Sequence, residues 1–362
     1  MKAGIITHYD VHNHGAHLQL YALSSQLKAL GYDAKALQFK KNYDFMGHTL
    51  DKKYSISLRS IPTYIKYLIE NGLGKTLYNM KKRKTLKAFR EEKDLVGEYY
   101  SEATNLDVTV IGSDEIFSLE PGLNPCFFGM GVPCDKVISY AGCFGPTTKE
   151  FIVEHNAKEF IEAGLKRIDK ISVRDQNSKE IVNSYSDKEA TLVCDPVLLY
   201  DFSDEIKRAK ENKKRQKYCV VYSYDKRMNE EETISQIKAY AKKRKLKIYS
   251  VGFYHKWCDK NINTSPLGLF EWFANAECVF TDTFHGTVVS IVSQAQFFTK
   301  VGENKNKLRF LLEQYGVTQR QVSTFEEAEN VSKEPLNYEV VNKTVQEIRE
   351  KSLSYLKSAL EL

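Results

Sequence analysis

Short apolar runs alternate with stretches of helical spacing along the whole chain, and this order constrains the fold more than any other feature of the sequence. Before residue 200 we predict strands at 3–7, 34–39, 107–111, 137–140, 170–173 and 192–194, with helices at 18–30, 151–165 and 176–185. After it we predict strands at 218–222, 247–251, 278–281 and 297–301, with helices at 230–243, 266–275, 287–293 and 304–315. The alternation is typical of parallel sheets covered by helices.

With 362 residues, the chain is longer than one ordinary core requires, so we predict two α/β domains that face a cleft. The first is expected at 1–202 and the second at 203–335, joined by a charged, turn-like linker at 201–217. Residues 41–100 are basic, rich in tyrosine and helical in places, which indicates a helical insertion over or beside the cleft. Residues 336–362 predict a terminal helix that folds back across the domain junction.

One stretch, residues 277–291, combines a buried strand, a tight turn and the start of a helix. The turn holds His285 and Gly286. Ligands of open parallel sheets bind beyond the strand carboxyl ends, and the free N–H groups of a helix N-terminus attract anions. His285 would stand there as a proton donor beside an anion site, although a helix-capping or core-edge histidine remains an alternative.

Other candidate residues follow the first strands of the first domain. The loop after the first strand carries His8, His12, His14 and His17, a density that suggests contact with a ligand, a metal site or an ordinary surface loop. This loop has one glycine and no GxGxxG, which argues against an ordinary dinucleotide site. Arg174 follows another strand, where a guanidinium suits phosphate or carboxylate, or a salt bridge to Asp175 or Asp195. Ser113 and Asp114 could bind a sugar hydroxyl or cap a helix.

Charge and cysteine content limit the classes of partner and compartment. The net charge of +6 is concentrated in clusters within 75–93, 207–217 and 242–245, which would suit a solvated surface, an acidic polymer or an anionic membrane. No aromatic stacking motif or nucleic-acid-binding module accompanies these clusters, so we expect no nucleic-acid partner. The seven cysteines are scattered without a CxxC pair, so we expect a cytoplasmic protein with no disulfide framework and no bound metal.

Taken together, six short segments resemble the motifs of the polysaccharide pyruvyl transferase family, in the family's order. They are the segments at 13–23 (NHGAHLQLYAL), 110–117 (VIGSDEIF), 139–145 (SYAGCFG), 171–175 (ISVRD), 194–199 (CDPVLL) and 281–286 (TDTFHG). The similarity covers roughly residues 1–330. It implies a fold like the GT-B glycosyltransferases, with two Rossmann-like domains.

The resemblance also implies a reaction and a site. The expected reaction transfers the enolpyruvyl group of phosphoenolpyruvate to two hydroxyls of one sugar, free or lipid-linked, in a cell-surface polysaccharide or its precursor. It forms a ketal, releases phosphate and needs no cofactor. His285 would be the acid. The expected phosphoenolpyruvate site is Arg174, Thr283, Phe284, Gly286, Thr287 and Arg309, and the expected acceptor side is Asn13, His14, Gly15, Gly112, Ser113 and Asp114.

The sequence departs from the family's pattern at two positions. Some relatives carry arginine where this chain has Thr283, so another cation must help to hold the donor. The candidates are Arg309, Lys300, Lys305 and Lys307. Glu115 stands where a neutral residue would be expected, and this bears on the substrate more than on the fold.

Two other functions remain open from the sequence. A GT-B glycosyltransferase would use a nucleotide sugar and needs a carboxylate for its ribose, which Glu271 or Glu277 could supply. A non-catalytic protein of polysaccharide assembly would bind through the basic clusters instead.

Overall fold

A computed structural model describes residues 1–41, 44, 61–212, 215–302 and 306–362, with the side chains of 61–71 and 306 excepted. In the first domain five parallel strands form one sheet in the order β3-β2-β1-β4-β5. Their bounds are β1 Lys2–Ile6, β2 Asp33–Gln38, β3 Val96–Tyr99, β4 Val108–Ile111 and β5 Val137–Ser139. Parallel bridges from 138 to 170 and from 142 to 173 continue the sheet towards a short pair, β6 Ser172–Val173 and β7 Thr191–Leu192.

Helices of the first domain connect these strands. They are α1 His14–Ala29, α2 Ile61–Glu92, α3 Lys149–Glu154, α4 Lys158–Arg167, α5 Gln176–Tyr185 and α6 Pro196–Leu199. Several begin at side chains that accept a backbone N–H of the first turn: Asn13 caps α1, Asp175 caps α5 and Asp195 caps α6. These caps fix where each chain segment turns from a strand into a helix.

The second domain has the same architecture, with six parallel strands in the order β10-β9-β8-β11-β12-β13. The strands are β8 Tyr218–Tyr222, β9 Lys247–Val251, β10 Lys260–Ile262, β11 Cys278–Thr281, β12 Phe297–Lys300 and β13 Gln321–Val322. The helices are α7 Ser203–Glu211, α8 Glu231–Lys243, α9 Gly268–Ala274, α10 Phe284–Val292, α11 Asn306–Gln314, α12 Ala328–Val331 and α13 Tyr338–Leu360. Two Rossmann-like domains are therefore present.

The central strands of both sheets are buried on both faces. Every residue of β4, β8 and β11 is buried, which is why these segments read as continuous apolar runs rather than as alternating patterns. Apolar residues of α1, α6 and α10 belong to a single cluster that continues from the first domain into the second. The two domains are thus packed against each other through apolar contacts at the base of the cleft.

Two long helices also join the domains. The inner side of α2 contacts the second domain: the Tyr78 hydroxyl donates to the Ile262 carbonyl at 2.9 Å. Helix α13 begins against the second domain, where the Tyr338 hydroxyl donates to the Ala295 carbonyl at 2.5 Å. It ends against the first, where the Tyr355 hydroxyl donates to the Ser139 carbonyl at 3.0 Å. The predicted return of the terminal helix across the junction is confirmed.

Some predicted elements need correction. Helix α1 begins at His14 rather than near residue 18, because Asn13 caps it. The predicted helix 151–165 is two helices, since Asn156 adopts a positive φ of 52° between them. The linker 201–217 contains helix α7, and β3, β10 and β13 were not predicted. Of the insertion at 41–100, residues 42–43 and 45–60 lie outside the described part, and 96–99 belong to the sheet.

Candidate functional site

A cavity of about 1010 Å³ lies between the two domains. Its wall includes residues that directly follow strand carboxyl ends, such as His8 after β1, Arg174 after β6 and Asp282 after β11. This is where ligands bind in open parallel sheets. The charged lining residues are Lys41, Asp114, Glu115, Glu120, Arg174, Asp175, Arg227, Asp282 and Lys307.

His285 is the second residue of α10 and lies on the cavity wall. The helix starts because the Thr283 side chain accepts the Gly286 N–H at 3.0 Å. The first backbone bond of the helix runs from the Thr287 N–H to the Thr283 carbonyl, so the N–H groups of Phe284 and His285 precede the helical bonding pattern. The site therefore joins an imidazole to the positive end of a helix, an arrangement that favours anions.

The imidazole of His285 packs against helix α1 of the other domain. A Cβ atom placed on Gly15 would lie 2.3 Å from Cγ and 2.5 Å from Nδ1 of His285. No side chain larger than hydrogen fits between the helix and the ring without movement. Gly15 thus lets the N-terminal turn of α1 approach the ring closely.

A buried carboxylate of the first domain stands on the other side of the ring. The Oδ2 atom of Asp195 lies 3.6 Å from Nε2 of His285 and accepts from the Arg174 guanidinium at 2.8 Å. Burial alone would raise the pKa of Asp195, but His285 and Arg174 outweigh it and hold this pKa below its usual value. Among the described residues, Nε2 of His285 has no hydrogen-bond partner. Nε2 of His285 thus faces the Asp195 carboxylate without a hydrogen bond to it.

Arg174 links this pair to Asp114, which lines the cavity on the side of the first domain. Its second terminal nitrogen contacts Asp114 at 3.1 Å, and its guanidinium lies over the Phe284 ring, 4.6 Å from the centroid. Burial opposes ionisation of Asp114, but the charge of Arg174 prevails and lowers the pKa of this carboxyl. Arg174 is therefore held between Asp114 and Asp195.

Two further cations face the cavity from the second domain. Lys307 on α11 pairs with Glu115 of the first domain, and this contact crosses the cavity. Burial alone would lower the pKa of Lys307, but Glu115 raises it, so the amine stays charged. Arg227 is about half exposed and lies 3.5 Å from Asp282. Both cations therefore add positive charge to the cavity wall on the side of the second domain.

Some of the other predicted site residues lie on the cavity wall and others lie away from it. Asn13, Asp114, Thr283 and Phe284 line the cavity. Gly286 packs against the Thr281 hydroxyl. Three other residues lie inside the protein. Ser113 is hydrogen-bonded to Gln19, Thr287 is hydrogen-bonded to Thr299, and Gly112 is in close backbone contact with Tyr140. His14 is buried against the second domain, bonded to the Thr264 carbonyl at 2.9 Å. Arg309 is exposed on α11, beside the lining residues Lys307 and Leu308.

The lysines considered as replacements for the arginine that is absent at Thr283 also lie in different places. Lys307 lines the cavity, whereas Lys300 donates to the Thr233 hydroxyl at 3.2 Å. Lys305 lies outside the described residues. Arg227 was not predicted, because its loop after β8 shows no pattern that marks a ligand contact.

The histidine-rich loop does not converge on one point. His8 reaches the cavity and its pKa is lowered by burial, while His17 turns inward beneath α2. Burial lowers the pKa of His17 to about 4, and that of His14 well below its usual value. In the part of the chain that the structure describes, no group of three or more His, Cys, Asp or Glu residues could hold a metal ion.

A family model described as polysaccharide pyruvyl transferase matches residues 13–299. This range contains the motifs at 13–23, 110–117, 139–145, 171–175, 194–199 and 281–286. No curated protein sequence matches the chain.

Solved structures with a similar fold include two UDP-N-acetylglucosamine 2-epimerases. That of Methanocaldococcus jannaschii, in complex with UDP-GlcNAc and UDP, has a TM-score of 0.52 and 11% identity over 96% of this chain and 99% of its own. That of Rickettsia bellii has a TM-score of 0.51 and 11% identity over 100% of this chain and 97% of its own. These similarities confirm the predicted GT-B-like architecture.

Proposed function

The chain belongs to the polysaccharide pyruvyl transferase family, and from that premise we propose that it forms a pyruvate ketal on a sugar. It would transfer the enolpyruvyl group of phosphoenolpyruvate to two hydroxyls of one residue in a cell-surface polysaccharide or its precursor, and release phosphate. The observation that carries the proposal is the position of His285, at a helix N-terminus on the cavity wall and beside the buried Asp195.

The donor is a small trianionic molecule, and the second domain offers a matching set of groups. The N–H groups of Phe284 and His285 would contact its phosphate, as at other helix N-termini. Lys307 and Arg227 would add the positive charge that Thr283 lacks. Arg174 is already paired with two carboxylates, so its role would be to hold Asp195 in place and to offset part of the negative charge of the two carboxylates.

The reaction requires a proton on carbon. His285 in its protonated form would donate to the methylene carbon, and the electrons of the double bond would form the new C–H bond. The resulting cationic C2 would be attacked by a sugar hydroxyl, whose proton returns to the ring. Phosphate would then leave, and the second hydroxyl would close the ketal as its proton departs with phosphate. Asp195 would stabilise the imidazolium and fix the orientation of the ring.

The acceptor would bind against the first domain, where the lining side chains are suited to sugar hydroxyls. Asn13 and Asp114 offer amide and carboxylate groups there. The two carboxylates that a nucleotide-sugar enzyme could have used stand elsewhere. Glu277 precedes β11 at its amino end and pairs with Lys217, and Glu271 accepts from Asn212. Their positions favour phosphoenolpyruvate over a nucleotide sugar as the donor.

We propose a cytoplasmic location as well, because scattered cysteines without a CxxC pair suit a reducing compartment. All seven cysteines are buried and free. Within the described residues no helix is long and apolar enough to span a membrane.

The test is phosphate release from phosphoenolpyruvate with a panel of sugar acceptors, for wild type, His285→Ala and His155→Ala. His155 is exposed and stacked on Phe151 outside the cavity, so its variant controls for the loss of a histidine. We expect acceptor-dependent release that falls about 100-fold or more in His285→Ala alone. If a thermal shift detects nucleotide sugars but not phosphoenolpyruvate, the glycosyltransferase alternative replaces this proposal.

A further inference from the structure

The outward side of α2 exposes three large apolar side chains in one stripe. Leu73 is 75% exposed, Leu77 is 64% exposed and Met80 is 58% exposed. Their spacings of four and three residues place them on one side of the helix. Large apolar side chains that are clustered on an exposed surface mark an interaction site more often than scattered ones do.

The same side of the helix is strongly basic. Residues 71–90 contain seven Lys and Arg residues and no Asp or Glu. Lys75 and Lys82 turn inward, where Lys75 pairs with Asp225 and Lys82 lies over the Phe253 ring. The exposed cations are Lys81, Arg83, Lys84 and Lys87. Helical spacing places them on the side of Leu73, Leu77 and Met80, and these seven residues form the outer face of α2.

We propose that the outer face of α2 docks on an anionic lipid bilayer. Apolar side chains at one end of a helix face, followed by lysines and arginines, match the acyl boundary and the charged headgroups of such a surface. Insertion of apolar side chains alone, or attraction of basic side chains alone, gives weak and reversible attachment, and the two together give stable attachment. An acidic polymer would account for the cations but not for the exposed stripe of Leu73, Leu77 and Met80.

The inner side of the same helix leads to the cavity. Asn79 donates to the Asp225 carboxylate at 3.4 Å, and the neighbouring residues Tyr224 and Arg227 line the cavity. Helix α2 and the segment 224–227 therefore lie between the docked surface and the cavity. If the proposed function holds, the sugar acceptor is one that the bilayer carries, since docking brings the cavity close to that surface.

The first experiment measures co-sedimentation of the full chain with phosphatidylcholine vesicles, with and without about one-third phosphatidylglycerol. We expect binding only to the anionic vesicles. The variant Lys81→Gln/Arg83→Gln/Lys84→Gln should bind about a hundredfold more weakly. Each basic residue near an anionic surface contributes about 1 kcal/mol to binding, which is roughly fivefold in affinity. Its matched control is Lys207→Gln/Arg208→Gln/Lys210→Gln, which removes the same charge from exposed positions on α7 and should bind within about threefold of wild type.

The second experiment tests insertion. Leu77→Gln/Met80→Gln should weaken vesicle binding about tenfold or more, and Met80→Trp should show a blue-shifted emission that brominated lipids quench. Equal effects of the two charge variants, or an unshifted Met80→Trp, would overturn the proposal. His285→Ala should bind vesicles as wild type does, so a failure of the proposed chemistry and a failure of docking give different results.

Discussion

Replacing Gly15 by alanine should displace the imidazole of His285 and so disable this candidate acid, although the imidazole itself is unchanged. The added Cβ would lie 2.3 Å from Cγ and 2.6 Å from Cβ of His285, whereas ordinary contact begins near 3.4 Å. The Cβ atom of His285 is fixed by the backbone of α10, so a rotamer change can move Cγ but does not relieve the overlap with Cβ. The ring or a whole helix must move by roughly 1 Å, and a misplacement of that size costs about 100-fold in rate.

The same substitution should reduce stability, and the cost should depend on the histidine. Overpacking costs typically 1–3 kcal/mol, which alanine's better helix propensity of up to about 1 kcal/mol offsets in part. His285→Ala removes the overlaps with Cγ and Nδ1 but keeps the Cβ atom at 2.6 Å, so Gly15→Ala should cost less there than in wild type. A double-mutant cycle on thermal unfolding therefore isolates the part of the contact that the ring makes.

A second glycine with no room for a Cβ atom provides the control for this prediction. A Cβ on Gly164, in α4, would lie 2.5 Å from the Phe128 ring, away from the cavity. Gly164→Ala should lower the melting temperature but leave phosphate release per folded molecule unchanged. The reasoning is refuted if Gly15→Ala keeps wild-type phosphate release, or if its stability cost is the same with and without the imidazole.

Three further predictions concern titratable or charged groups, one beneath α2 and two at the candidate site. His17 donates to the Asn13 carbonyl at 2.8 Å and accepts from Arg90 at 2.7 Å, so its neutral form is the bound one. With its pKa lowered to about 4, this ring contributes up to about 3 kcal/mol of stability above pH 6.5, and this contribution is lost as the pH falls towards 4. His17→Gln should therefore flatten that part of a plot of melting temperature against pH. Asp195→Asn should lower kcat about 10-fold or more with little change in KM for phosphoenolpyruvate, because the amide orients the ring but does not stabilise its charge; a selective rise in KM would contradict this. Lys307→Gln should raise KM for phosphoenolpyruvate about tenfold while its partner variant Glu115→Gln does not, and equal effects would indicate a purely structural ion pair.

The sequence was most informative where a segment is fully buried. The strands Tyr218–Tyr222, Lys247–Val251 and Cys278–Thr281 were predicted with their observed bounds. In the first and third, burial on both faces leaves a nearly continuous apolar run. The short strands at the sheet edges have no such run, which is why Lys260–Ile262 and Gln321–Val322 were missed. The start of α1 was readable in principle, because asparagine is a preferred N-cap.

The candidate site was only partly readable for a different reason. The motif around His285 indicates a strand, a turn and a helix N-terminus, all of which are local. The partner of its ring, Asp195, is 90 residues away in the other domain, and the sequence offered it only as a salt-bridge partner of Arg174 and as part of the motif at 194–199, not as a neighbour of His285. The contact between Gly15 and the ring also depends on how the two domains pack.

The environment of His285 is supplied almost entirely by the domain that does not contain it. Gly15 packs on one side of the ring and Asp195 stands near Nε2, and both belong to the first domain. An imidazole on an isolated second domain would keep its helix N-terminus but lose its orienting carboxylate and its cover from water. The apolar contacts between α1, α6 and α10 therefore do more than join two domains. They assemble the candidate acid at the same place where the proposed donor from one side and the proposed acceptor from the other would meet, so the proposed chemistry at His285 requires the packed arrangement of both domains.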